Sequence, residues 1–327
     1  MRTLPRIFAL FAAVLLTGQI PATRAAQGDD IVGGITYAMT ARGETLMELA
    51  QRQDLGVLEL SAVNQGVNVW TPGFGTWVEL PTAHILPDAP RRGIVINLAE
   101  LRLYFFPPGG AAVQTYPIGI GREGLGTPLG ATTIARKAES PTWRPTEGKR
   151  KEDPSLPAVV PPGPENPLGD YALYLGWPLY LIHGTNKPDG VGRRVSRGCI
   201  RMYPDNIARL YPQVPTGTPV RVVDQPVKVG WSNGELYLEV HPDFEQLDAL
   251  EASYHFDPKP APEVRDLIAA AASSDVNRVD WQRVEVELVR RRGVPALITQ
   301  PAPGKLVAPA PMRVWPDGRL NQSAGIY

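Results

Sequence analysis

A single cysteine, Cys199, stands in the run Ser196-Arg197-Gly198-Cys199-Ile200-Arg201-Met202, sixteen positions after the first residue of His183-Gly184-Thr185. A thiol attacks a carbonyl only as thiolate, and an ordinary cysteine, with a pKa of about 8.5, is mostly protonated at neutral pH. It therefore needs a base or positive charge beside it. His183 ends the apolar run Tyr180-Leu181-Ile182, a rigid strand end from which to aim an imidazole. Gly184 lets the backbone come close, and a carbonyl there would hold the imidazole in one tautomer. Arg193, Arg194, Arg197 and Arg201 make the loop electropositive, which favours a thiolate and a substrate bearing carboxylates. Backbone N–H groups around Gly198 and Cys199 are candidates for an oxyanion hole. Two other uses of these residues compete: a cysteine as a small buried hydrophobe, and histidine as a metal ligand. Against a metal, the four histidines at 84, 183, 241 and 255 are scattered, with no close ligand pair.

The beginning of the chain suggests where this thiol works. Arg2 and Arg6 precede an apolar run, Ile7 to Leu16, and then the small residues Ala22, Ala25 and Ala26. This is the charge, apolar core and cleavage pattern of a secretory signal, expected at 1–25. About ten apolar residues are too few to span a bilayer, and no later segment is long and apolar enough. An exported protein with one cysteine has no internal disulfide to make, so its thiol is free for chemistry. Acidic and basic residues balance at 33 each, and the signal holds only Arg2, Arg6 and Arg24. The remainder is mildly acidic and has no basic stripe, which argues against nucleic-acid binding. The 35 prolines and 32 glycines favour short strands and ordered loops over a helix bundle.

The 327 residues are enough for two or three domains. Residues 34–82 read as strand, helix, helix, strand. Thr45 is the N-cap of the first helix, with Glu48 as its capping-box partner, and a second helix fits Gly56 to Val63. Residues 92–224 are β-rich, with strands at Ile94–Leu98, Leu101–Phe106, Val113–Ile120, Thr132–Arg136, Tyr171–Tyr174, Leu179–Ile182 and Val220–Val223, and a helix at Asp205–Leu210. Residues 225–295 form a small α+β region. It has a hairpin turning on Ser232-Asn233-Gly234 and helices near Pro262–Ala272 and Asp280–Arg291. Residues 296–327 read as a loosely ordered, proline-rich tail.

Two resemblances build on these residues. Gly43-Glu44-Thr45-Leu46, Asn64 and Leu80-Pro81 make the first unit resemble a LysM domain, which binds N-acetylglucosamine-containing glycans such as peptidoglycan. Gln65 stands where that family often has proline. The unit is expected to raise residence on the wall without taking part in chemistry. His183-Gly184-Thr185 and Ser196-Arg197-Gly198-Cys199-Ile200-Arg201 resemble the signature of the L,D-transpeptidases (the YkuD fold, ErfK/YbiS/YcfS/YnhG branch). Tyr116-Pro117-Ile118-Gly119, Thr127-Pro128-Leu129-Gly130, Pro141-Thr142-Trp143 and the loop 163–169 add to the match. Many members carry a second histidine where this chain has Arg197, which leaves His183 as the only histidine of the motif.

The resemblance implies a mainly β catalytic domain of two facing mixed sheets. It implies Cys199 as nucleophile, His183 as general base, the Gly184 carbonyl as its orienting group and a Gly198 backbone oxyanion hole. Arg197, Arg201, Ser196, Thr185 and Trp143 are the implied substrate-binding residues, and no metal or organic cofactor is implied. The substrate would be the tetrapeptide stem of peptidoglycan in the periplasm, acylating Cys199 with release of D-alanine. The acceptor would be another stem's diaminopimelate, giving a 3–3 cross-link, or a lysine of an envelope protein. A hydrolase using water at the same site, or a non-catalytic wall-binding protein, are the alternatives.

Overall fold

The computed structural model describes residues 29–122, 124–259 and 263–300. The expected signal at 1–25, the tail from 301 onward and the expected helix start at Pro262 lie outside the described residues.

The first elements are β1 (Ile31–Gly33), β2 (Thr36–Met39), α1 (Leu46–Arg52), α2 (Val57–Val63), β3 (Trp77–Leu80) and β4 (Ala83–Ile85). Strands β2 and β3 pair antiparallel, and β1 with β4 forms a second two-stranded sheet. The capping box expected at Thr45 is present: the Glu48 N–H donates to Thr45 Oγ1 at 3.1 Å, and the Thr45 N–H donates to the Glu48 carboxylate at 2.8 Å. At the start of α2 the Glu59 carboxylate likewise accepts from the Gly56 N–H at 2.6 Å. Leu46, Leu49, Ala50 and Leu60 are completely buried. They share one core with the sheet that follows, so the unit is seated on its neighbour rather than tethered to it.

That sheet is built from β5 (Gly93–Asn97), β6 (Arg102–Phe106), β7 (Gln114–Pro117), β8 (Ile120–Gly121), β9 (Gly130–Glu139), α3 (Glu147–Glu152), β10 (Tyr171–Leu175), β11 (Leu181–His183), β12 (Arg194–Ser196), β13 (Ile200–Arg201), α4 (Pro204–Leu210) and β14 (Pro219–Val223). Eight strands are hydrogen-bonded in the order β13-β11-β10-β9-β14-β5-β6-β7. The β11–β13 and β14–β5 pairs are parallel and the others antiparallel. Beyond β7 the chain reaches Gly119, which exchanges backbone hydrogen bonds of 2.9 and 2.8 Å with Arg201 of β13. The two ends of the strand order therefore meet. The mixed β architecture is one sheet curled on itself, with a small β8–β12 sheet beside the closure.

Side-chain alternation explains why β5 and β6 are buried almost throughout. Ile94, Ile96, Leu103 and Phe105 enter the main core, while Val95, Tyr104 and Phe106 enter a smaller cluster on the other face.

The C-terminal region comprises β15 (Val227–Ser232), β16 (Glu235–Val240), α5 (Phe244–Ser253), α6 (Arg265–Ala272), α7 (Trp281–Arg290) and β17 (Ala296–Leu297). Asn233 and Gly234, at φ 51° and 78°, are both left-handed, as the hairpin signal requires. Strand β17 pairs with β16, and Ile298 is completely buried. The ordered region thus runs past the expected boundary at 295. Helix α5, not expected from the apolar pattern, packs Leu247 and Leu250 onto the main core.

The histidines also depart from expectation. His84 and His241 converge on Glu100 and Glu239, although they are far apart in sequence. Ligand atoms of His84, Glu100 and Glu239 lie within 4.8 Å of one another, and His241 Nε2 is 2.7 Å from the Glu239 carboxylate. The cation among them is the Lys228 ammonium. It donates to Glu100 and the Ile85 carbonyl at 2.6 Å, lies 2.9 Å from Glu239, and donates to the Tyr104 hydroxyl at 3.2 Å.

Candidate active site

The sixteen-residue spacing between His183 and Cys199 is a crossover between neighbouring parallel strands. In the β11–β13 register Ile182 faces Ile200 and His183 faces Arg201. Cys199 immediately precedes β13, two residues before Arg201. Alternation then places Cys199, Arg201 and His183 on one face of the pair. All three line a single cavity of about 600 Å³, with Arg122, Trp143 and Lys149 among its other walls.

His183 is 4% exposed, and its Nδ1 lies 2.5 Å from the Gly184 carbonyl oxygen. A carbonyl only accepts, so Nδ1 carries the proton and Nε2 is left as the basic nitrogen. Burial, together with the nearby Arg201 charge, pushes the His183 pKa down to about 4. These effects outweigh the Gly184 and Leu168 carbonyls, which favour the imidazolium.

The thiol of Cys199 donates to the Leu179 carbonyl at 3.4 Å. Its pKa is raised, not lowered as the surrounding arginines had suggested. Burial is the larger influence and exceeds the opposing pull of the Leu181 N–H and the Arg201 guanidinium. At neutral pH the two groups thus rest as thiol and neutral imidazole, so any attack by this sulfur would need a proton transfer rather than a preformed thiolate.

The arginines behave differently from one another because carboxylates neutralise all but one. Arg193 pairs with Glu251, Arg194 with Asp248 at 3.2 Å, and Arg197 with Glu152. Arg201 has no carboxylate partner among the described residues. Its charge sits half-buried in the cavity wall, where desolvation lowers its own pKa. Arg197 also lines the cavity, but its charge is shared with Glu152, which Arg122 contacts as well at 3.2 Å.

The loop before Cys199 is held by its own polar atoms. Ser196 Oγ donates to the Cys199 carbonyl at 2.6 Å and accepts from the Gly198 N–H at 3.1 Å. This revises two expectations. The Gly198 N–H is already engaged and is not open to an oxyanion, and the Ser196 hydroxyl is committed to the loop rather than to substrate. The Cys199 N–H has no hydrogen-bond partner among the described residues. Gly198 is needed on other grounds: its φ is 100°, and a Cβ there would meet the Tyr180 ring at 2.7 Å. Thr127 Oγ1 fixes the Gly198 carbonyl at 2.9 Å.

A second cavity of about 550 Å³ adjoins the first and shares Trp143, Lys149, Pro167 and Arg201 with it. Thr185 lines this second cavity, and its hydroxyl accepts from the Lys187 N–H at 3.0 Å. Trp143 stands between the two spaces, tied to Val160 through backbone bonds of 2.9 Å. Sequence reasoning did not find Lys149, Glu152, Arg122 or the Leu179 carbonyl. Helix α3 is six residues of mostly charged sequence with no buried face, so periodicity could not reveal it; the Thr146 cap was its one local signal.

Residues 91–222 match the profile of the YkuD family, the L,D-transpeptidase catalytic domain. The chain is 40% identical over 303 residues to the probable L,D-transpeptidase ErfK/SrfK of Escherichia coli K12, covering 90% of this chain and 94% of that protein. It is 45% identical over 216 residues to the probable L,D-transpeptidase YcfS of the same organism, covering 63% of this chain and 68% of that one. Among solved structures, the catalytic domain of the E. faecium L,D-transpeptidase aligns with 42% of this chain and all of its own length, at 25% identity and a TM-score of 0.33.

Proposed function

The chain belongs to the L,D-transpeptidase family, and on that premise we propose that Cys199 is the acyl-carrying nucleophile of a peptidoglycan L,D-transpeptidase with His183 as its base. The observation that carries this reading is the placement of Cys199, His183 and Arg201 on one face of two parallel strands, at the wall of one cavity. As sulfur attacks the carbonyl carbon of the third stem residue, its proton passes to His183 Nε2. The oxyanion accepts from the Cys199 N–H. Collapse breaks the bond to the terminal D-alanine, whose amine leaves with the proton from His183. The thioester then meets an acceptor amine, which loses its proton to His183, and the thiol is restored. No step calls on a metal or organic cofactor.

Arg201 is the group best suited to a stem carboxylate, being the cavity arginine that no protein carboxylate neutralises. The adjoining cavity offers the acceptor a separate approach past Trp143 and Thr185. The acceptor is a diaminopimelate of a second stem or a lysine of an envelope protein. Water in its place would make the enzyme a hydrolase. A purely wall-binding role gives no reason for a neutral imidazole held in one tautomer beside a lone thiol. The enzyme acts in the cell envelope; the N-terminal pattern at 1–25 supports export to the periplasm, and no helix among the described residues is long and apolar enough to cross a membrane. In the LysM-like unit, Trp70 and Phe74 are 57% and 74% exposed, and Arg42 lies 5.6 Å over the Phe74 ring. These groups support a glycan-facing surface. The test of the nucleophile is intact-mass spectrometry after incubation with a carbapenem: one adduct, absent in Cys199→Ala. An adduct that persists in that variant overturns the assignment.

A further inference from the structure

The βααβ unit meets the loop that carries the nucleophile backbone to backbone. A Cβ on Gly56, the N-cap of α2, would lie 2.7 Å from the Cα of Gly192. A Cβ on Gly192 would collide with Gly56 and come within 2.7 Å of the Val57 nitrogen. Gly192 has φ 75°, a second reason for glycine there. It opens the segment that runs through Arg193 and β12 to Cys199. On its other side the loop is pinned to the closure of the sheet: the Gly192 N–H donates to the Ile118 carbonyl at 3.1 Å, and the Ile120 N–H to the Arg193 carbonyl at 3.0 Å. The same unit holds the far side of the nucleophile through Tyr203, four residues past Cys199, whose buried hydroxyl donates to the Leu55 carbonyl at 3.0 Å. Arg102 of β6, 2% exposed, locks α2 in place through both oxygens of Glu59 at 2.5 and 2.7 Å.

We propose that the Gly56–Gly192 contact is a positioning contact for the reaction: the βααβ unit sets where the 192–199 loop, and so the Cys199 sulfur, stands relative to His183. The inference rests on Cys199 being the nucleophile. It differs from the expectation that the unit serves residence on the wall alone. The physical basis is rigidity. Two backbones in van der Waals contact have no side chain to rotate away, so a displacement of α2 passes directly into the loop. A sub-ångström to 1 Å misplacement of reacting groups costs up to about 10² in rate.

The test uses the full chain. Gly56→Ala is conformationally allowed, since Gly56 has φ −83°, but it forces Gly192 to move. Arg292→Ala serves as the control. It removes a 2.7 Å pairing between Arg292 and Glu79, which seats the same unit on the C-terminal region away from the loop. Three quantities are measured: melting temperature, single-turnover acylation by a carbapenem, and alkylation of the lone thiol by iodoacetamide. The expected result is about tenfold slower acylation in Gly56→Ala, with an alkylation rate altered at least about twofold, while Arg292→Ala melts earlier but keeps wild-type rates. Tyr203→Phe, which keeps the ring and deletes one hydrogen bond, reads the same seat more gently, with acylation about threefold slower. Wild-type acylation and alkylation in the folded fraction of the loop variants, or equal slowing in Arg292→Ala, overturns the proposal. A failure of the nucleophile assignment looks different: the unsubstituted protein gives no carbapenem adduct, yet its thiol alkylation still reports the position of the loop.

Discussion

Two buried polar sites in this molecule contrast in how their charges are answered. Around Lys228, the ammonium has four oxygen neighbours, and His241 adds a further contact to Glu239. Around Cys199, the imidazole has carbonyls on one side and an unneutralised arginine nearby, and one nitrogen is left as a base. The first arrangement uses its charges against one another and fixes three parts of the chain together, since Ile85, Glu100 and Lys228 come from the N-terminal unit, the curled sheet and the C-terminal hairpin. The second leaves capacity for a proton and an anion that the protein does not itself provide. Burial is common to both, so burial alone does not mark a reactive site. Nor does an unpartnered atom by itself, since His84 Nδ1 beside the Lys228 cluster also has no hydrogen-bond partner among the described residues. What sets the Cys199 region apart is that a thiol, an imidazole and an arginine with no carboxylate partner among the described residues line one cavity.

The largest expected effect that sharpens this contrast is the loss of the thiol. Cys199→Ala is expected to abolish the carbapenem adduct while leaving the melting temperature near that of the parent, because a thiol held only by weak sulfur hydrogen bonds contributes little to stability. Intact mass and thermal melting check both halves. A large fall in stability would place Cys199 with the structural groups.

Next is His183→Ala, expected to slow acylation by roughly 10²- to 10⁴-fold. The pH dependence gives an independent reading. Because the folded pKa of His183 is about 4, below the ordinary ~6.5, the base form persists as pH falls. The acid limb of the acylation rate is therefore expected near pH 4. The stability linked to this group has the same sign: it is fully present above about pH 6.5 and is lost as pH falls toward 4, where the unfolded chain binds the proton first. An acid limb at pH 6.5 in stopped-flow acylation would show that His183 is not held neutral.

Lys228→Met tests the other side of the contrast. It leaves Glu100 and Glu239 buried without their cation, an imbalance expected to cost about 3–5 kcal/mol in denaturant unfolding. Acylation by the remaining folded protein should stay close to the parent rate. A rate defect without a stability defect would join the two sites.

The smallest effect is expected at the arginines. Arg201→Lys keeps the charge but loses the two-pronged hydrogen bond, so KM for stem peptides should rise about tenfold if a charge-assisted contact of roughly 1.5–3 kcal/mol is weakened. Arg197→Lys should change KM less, since Glu152 already answers that charge. Steady-state kinetics on stem peptides ranks them; equal effects would mean that the Glu152 pair does not withdraw Arg197 from substrate.

Much of this protein is local and could be read from the sequence. The Thr45–Glu48 box, the Asn233-Gly234 turn and the alternating apolar strands β5 and β6 follow from interactions within a few residues, so their signals survive without a fold. The Asp243–Gln246 capping box, with bonds of 3.1 and 3.0 Å, was equally local and would have revealed α5. Cys199 and His183 could be singled out as candidates from residue type and motif. Tertiary structure decided which charges remain available. Glu152, Asp248 and Glu251 come from distant segments, and they separate Arg201 from three arginines that look equivalent in sequence. It also decided that Gly198 donates to Ser196, that the thiol is raised by burial, and that His84 and His241 meet. Desolvation and ion pairing depend on what chain topology brings within a few ångströms, and a linear sequence does not hold that distance.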